Sequence, residues 1–163
     1  MKSGRLICYS VALLTLITDL LTKTWAVRAL VDGQPHQILG PLLSFHYVRN
    51  PGAAFSLATG STWIFTVIST AVSIAVVVLV GRTSSRTWAL ALGLLLGGAL
   101  GNLGDRVFRS PGGFRGLVVD WIELPHWPIF NIADSAIVTA AAIIVILSIR
   151  GIGFLDQSPR SAE

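Results

Sequence analysis

Four apolar runs, at residues 6–26, 63–80, 88–103 and 132–149, divide this chain of 163 residues and leave little room for any other architecture. A helix needs roughly 20 residues to cross about 30 Å of hydrocarbon, and within lipid only helices and closed barrels satisfy every backbone N–H and C=O. The runs therefore predict an all-α integral membrane fold with four transmembrane helices. Hydrophobic residues make up 53% of the chain and charged ones 12%, and the mean hydropathy is +0.72, which sets it apart from soluble domains. The first run follows Lys2 and Arg5, but Asp19 and Lys23 interrupt it and no small-residue cleavage site follows. It reads as a retained helix rather than a signal peptide.

The connections carry more pattern than a linker needs. Residues 27–62 form a first outer loop whose stretch HQILGPLLSFHYVRN mixes β-branched and aromatic residues with Pro and Gly breaks. That composition predicts short strands and a small sheet on the membrane surface. PGAAF then sets small residues where another chain can approach closely. In the second outer segment, 104–131, a Gly/Pro/Ser stretch RSPGGFRG leads into LVVDWIEL and PHWPIFN, and Trp121, Trp127 and Phe130 are expected in the interfacial belt. On helix three Ala89, Gly93, Gly97 and Gly101 recur every four residues, a ridge suited to tight helix packing in lipid. Residues 1–150 read as one membrane domain and 151–163 as a frayed tail.

Charge sets the orientation and narrows the partners. Lys2, Arg5, Arg82, Arg86, Arg150 and Arg160 lie densely in short segments, the other basic residues sparsely in long loops, so both termini are expected in the cytoplasm. Asp19, Asp32, Asp105, Asp120, Glu123 and Asp134 all map to the outer side, where the chemistry is expected. The net charge of +4 is spread without a basic run or aromatic interleaving, which fits anionic lipid head groups and not nucleic acid. Cys8 is the only cysteine, and His36, His46 and His126 lack metal-ligand spacing, so no thiolate cluster or zinc site is expected.

The informative residues are two acids, Asp120 in GLVVDWI and Asp134 in NIADSA, separated by Pro125 and Pro128 and both at interface depth on the same side. Carboxylates are costly near hydrocarbon and mark function there by default. Asn131 reads as the N-cap of helix four, with Asp134 at the third helical position. A positive helix end suits an anion, and two neighbouring carboxylates resist a second charge. A pair that shares one proton can activate water and protonate a leaving group; the alternative is two acids that cap or pair separately. Asp19 and Lys23, at i and i+4, read as a structural pair, and Asp105 with Arg106 as an ion pair to a neighbouring helix. Asn102, Asp105 and Arg106 share one helix face. Arg109 and Arg115 read as solvated loop charges, with lipid phosphates as the alternative.

At these residues the chain resembles the lipoprotein signal peptidase family, signal peptidase II. The resemblance runs through TDLLTK (Asp19, Lys23), VRNPGAAFS (Asn50, Gly52, Ala53, Ala54, Phe55), GGALGNLGDR (Gly101, Asn102, Asp105, Arg106), GLVVDWI (Asp120) and FNIADS (Asn131, Ala133, Asp134). One departure is a longer stretch at 106–116. The family implies four membrane helices, both termini cytoplasmic, and a small extracytoplasmic β-structured platform between helices one and two. It also implies an aspartic endopeptidase of the bacterial inner membrane, metal- and cofactor-independent, that cleaves diacylglyceryl-modified prolipoproteins on the amino side of the lipobox cysteine. By the same resemblance Asp120 and Asp134 form the catalytic dyad. Asn50, Gly52, Asn102, Arg106 and Asn131 then contact substrate or support the dyad, and Asp19, Lys23 and Asp105 are structural polar residues. The expected partners are the prolipoprotein and membrane lipids, and the expected state is a monomer. A proton-coupled transporter is disfavoured by acids at the interface rather than the midplane and by the lack of an internal repeat. A non-catalytic adaptor for lipoprotein precursors is the third reading.

Overall fold

The computed structural model describes residues 2–52, 62–83 and 85–155. Ala53, Ala54 and Phe55, and the tail residues Asp156, Arg160 and Glu163, lie outside the described residues. Among the described residues four helices are long and apolar enough to cross a membrane: α1 (Lys2–Ala29), α2 (Thr62–Leu79), α3 (Arg86–Phe108) and α4 (Ile132–Ile149). Three strands, β1 (His36–Gln37), β2 (Ser44–Asn50) and β3 (Val118–Glu123), form an antiparallel sheet in the order β1-β2-β3.

The small-residue ridge makes α3 the hub. Half of its span is buried, against 28%, 22% and 22% of the other three, and α1, α2 and α4 all pack on it. A Cβ on Gly93 would sit 2.7 Å from the Cys8 carbonyl, and one on Gly97 2.6 Å from the Thr15 side chain. The ridge thus brings the α1 backbone into contact, which is how helices associate in lipid without a hydrophobic drive between them. Gly98 does the same for α4, where a Cβ would come 2.5 Å from the Ala133 carbonyl. The exposed Leu, Ile and Val side chains of α1, α2 and α4 face outward, as lipid-facing surfaces require. Beyond α4 the chain returns to α3, with Trp88 Nε1 donating to the Ile152 carbonyl at 3.0 Å and the Phe154 ring edge-on to Trp88.

The sheet is assembled from both outer segments. Within the first loop, β1 and β2 pair through His36↔Phe45 and Gln37↔Ser44, around a short 3₁₀ turn at Gly40–Leu42. The third strand comes from LVVDWIEL after α3, paired with β2 from Ser44↔Glu123 to Asn50↔Val118, with a register shift between Phe45 and Val48. Its residues Val118 to Trp121 are buried. Trp121 sits inside, not in the interfacial belt. Its ring meets Trp25 and Phe45 edge-on at 5.4 and 5.0 Å, pinning the sheet to the C-terminal end of α1. Trp127 remains exposed. The consequence of β3 is positional: it carries Asp120 toward the first turn of α4.

Candidate active site

Three asparagines fasten the two acids in place, and each is oriented by a donor on its own amide oxygen. Asn131 is the N-cap of α4: its Oδ1 accepts from Asp134 N at 2.8 Å, which leaves Nδ2 to donate to Asp120 Oδ1 at 2.6 Å. In return Asp134 Oδ2 accepts from Asn131 N at 3.2 Å, closing a reciprocal capping box. Asn50, the last residue of β2, accepts from Gly52 N at 2.7 Å and donates through Nδ2 to Asp120 Oδ2 at 2.7 Å. Asn102 on α3 accepts from Lys23 Nζ at 3.1 Å and donates to Asp134 Oδ1 at 2.7 Å. Side chains from β2, β3, α3 and α4 therefore converge, and Asn131 bridges the two carboxylates directly.

The electrostatics of the pair are uneven. Asp120 is 1% exposed, and its pKa is pushed up from 3.8 to about 7, by burial first and then by the charge of Asp134, against the pull of the Asn50 and Asn131 amides. Near neutral pH it therefore exchanges a proton. Asp134 is only partly buried and accepts two N–H bonds at the N-terminal end of α4, where backbone amides favour an anion. Two carboxyl groups with one proton between them can take a proton from water and deliver one to an amide.

Behind the pair lies a buried ionic cluster. Lys23, 1% exposed, reaches Asp19 Oδ2 at 2.7 Å and Asp105 Oδ2 at 2.9 Å. Asp19 Oδ1 also accepts from Ala133 N at 2.9 Å in the first turn of α4. Gly101 makes room for that carboxylate, since a Cβ there would lie 2.6 Å from Asp19 Oδ2. Asp105 further accepts from Val119 N at 3.1 Å and pairs with Arg109. The partner of Asp105 is thus Lys23 on α1 together with Arg109, and not the adjacent Arg106. Arg109 in turn is a paired, partly buried cation rather than a solvated loop charge; Arg115 is exposed.

Arg106 faces the other way. Its guanidinium stacks on the Phe65 ring at 5.2 Å, and its charge bears on Asp105, Asp120 and Asp134. Among the described residues Nε and Nη1 are buried without a hydrogen-bond partner, so Arg106 holds donors in reserve beside the two acids. Gly52, at φ +102°, abuts the same ring, and a Cβ would come within 2.5 Å of it; only glycine serves there. Phe65 was not legible as a site residue, because one aromatic in an apolar span carries no local signal. Asn50, Gly52, Asn102, Arg106 and Asn131 lie around the two acids, and the structural polar residues Asp19, Lys23 and Asp105 connect to them through Asn102 and the start of α4.

The comparisons with known proteins reach over the whole of this region. The family model described as Signal peptidase (SPase) II matches residues 11–150. The chain is 48% identical over 154 residues to a lipoprotein signal peptidase of Mycobacterium tuberculosis (strain ATCC 25618 / H37Rv), covering 94% of this chain and 76% of that protein. It is 51% identical over 148 residues to one of Rhodococcus jostii (strain RHA1), covering 91% and 75%. A solved bacterial membrane enzyme superposes with a TM-score of 0.78 at 27% identity, over 96% of this chain and 94% of its own.

Proposed function

The chain belongs to the signal peptidase II family, and we propose that it works as an aspartic endopeptidase with Asp120 and Asp134 as its dyad. It removes signal peptides from diacylglyceryl-modified prolipoproteins, cutting on the amino side of the modified lipobox cysteine without metal or cofactor. The observation that carries this reading is the bridge through Asn131, whose side-chain Nδ2 donates to Asp120 and whose backbone N donates to Asp134, while the Asn50 and Asn102 amides each donate to the other oxygen of one carboxyl group.

Asp134 acts as the base and Asp120 as the acid in the first step, in keeping with the raised pKa of Asp120. Water gives a proton to Asp134 and its oxygen bonds to the scissile carbonyl carbon, while Asp120 protonates the carbonyl oxygen. The resulting gem-diol collapses as Asp134 passes its proton to the amine nitrogen and the C–N bond breaks. Asp120 recovers a proton from the diol hydroxyl, so the enzyme ends as it began and no covalent intermediate forms. The free donors of Arg106 hold substrate carbonyl oxygens, which limits water and fixes the bond against the dyad.

Residues 1–150 act as one membrane domain and as a monomer, with both termini cytoplasmic and the dyad near the extracytoplasmic face; the density of basic residues in the short connections supports this orientation. The lipid-modified cysteine then enters sideways from the bilayer with its acyl chains still in lipid. A gel-shift assay with purified protein in the presence of a chelator, using diacylglyceryl-modified and unmodified precursor, tests the reading. Cleavage of the modified precursor alone is expected. Equal cleavage of both would remove the lipid requirement, and loss of activity to the chelator would remove metal independence.

A further inference from the structure

Two cavities outside the dyad meet at a single guanidinium. Between α1 and α3 runs a groove of about 580 Å³ whose apolar wall includes Leu16, Leu20, Leu100, Leu103, Val107 and Phe108. Its polar residues, Asp19, Lys23 and Asp105, are already paired with one another. Arg109 belongs to the same groove and also lines a second cavity of about 230 Å³, walled by Tyr47, Arg49, Ser110, Leu117 and Val119 on the sheet side. Among the described residues no acid lines this second cavity. Arg109 spends Nε on Asp105 and Arg49 donates Nε to Tyr47 Oη at 2.6 Å. Among the described residues Arg49 has no carboxylate partner, so the cavity keeps a net positive charge.

We propose that the two cavities form one site for an anionic glycerophospholipid of the surrounding membrane, with its phosphate between Arg49 and Arg109 and an acyl chain in the α1–α3 groove. Paired guanidiniums are the side chains best matched to a phosphodiester, and one phosphodiester charge balances the unpaired arginine. The groove has a notch for the chain at Gly104, where an added Cβ would meet nothing within 4 Å. None of Asp120, Asp134, Asn50, Asn102, Asn131 or Arg106 lines either cavity, so this site is separate from the place where substrate is cut and does not depend on the peptidase reading.

Native mass spectrometry of the purified protein released from detergent, with added phosphatidylglycerol, tests the site. Wild type should retain phosphatidylglycerol in preference to diacylglycerol with the same chains. Arg49→Gln should lower that retention about fivefold, the effect of one basic residue at an anionic lipid surface. Arg115→Gln, which removes an exposed charge outside both cavities, should leave it unchanged. Gly104→Leu keeps both arginines, fills open space and should lower retention by blocking the groove. Equal losses from Arg49→Gln and Arg115→Gln, unchanged retention by Gly104→Leu, or equally tight binding of glycerophosphoglycerol without its chains would each overturn the assignment.

Discussion

At the scale of single residues, the site depends on amide orientation. Each asparagine has its oxygen claimed by an N–H donor, so its NH₂ must point at a carboxylate. For Asn102 that donor is Lys23, which also neutralises Asp19 and Asp105. Lys23→Met would leave two buried carboxylates without their shared cation, at a cost of about 3–5 kcal/mol. We expect a large drop in thermal midpoint in detergent, and an unchanged midpoint would show that the cluster is not structural. Asp120 gives a prediction in pH. The folded state holds its proton more tightly than the unfolded chain, so its contribution to stability is fully present below about pH 4. That contribution is lost as pH rises toward about 7. The thermal midpoint of wild type should therefore fall between about pH 4 and 7, and Asp120→Asn should flatten the profile; parallel profiles would contradict the shift. The same proton predicts a basic limb near pH 7 in kcat/KM.

Among elements, legibility tracks how local each interaction is. The N-cap at Asn131 and the third-position acid Asp134 follow from spacing alone, and the structure has both. The small-residue ridge was legible for the same reason. β3 was not, because an apolar run such as LVVDWIEL does not distinguish a strand from a buried helical turn by periodicity, and its partner β2 lies some 70 residues earlier. The pairing of Asp105 was also hidden. Its neighbour Arg106 points about 100° further round the helix, while Lys23 lies on another helix. Helix packing offers a paired test with one substitution. Gly97→Ala would place a Cβ 2.6 Å from Thr15 and 2.7 Å from the Ala12 carbonyl, and should destabilise by about 1–3 kcal/mol through overpacking. Gly104→Ala meets open space and should stabilise by about 0.5–1 kcal/mol through helix propensity. Thermal unfolding of both in one detergent checks the pair; shifts of the same sign would mean that the α1–α3 contact is looser than the structure has it.

On the scale of the whole molecule, the fold gathers a polar constellation at one end of an apolar bundle. α3 supplies the scaffold, α1 the buried cation, α4 one acid on its first turn, and the sheet the other acid from β3. The proposed orientation makes a topological prediction. A reporter that folds only in the cytoplasm should be active when fused after residue 155 and silent in the first outer loop, and the reverse pattern would invert the orientation. The most direct test of the central claim is single-turnover cleavage of diacylglyceryl-modified prolipoprotein by purified Asp120→Asn and Asp134→Asn proteins, made in cells without wild-type enzyme. The account predicts folded proteins with no detectable cleavage in either case, because each acid performs a proton transfer that an amide cannot. Turnover by either variant at a rate near that of wild type would contradict the dyad.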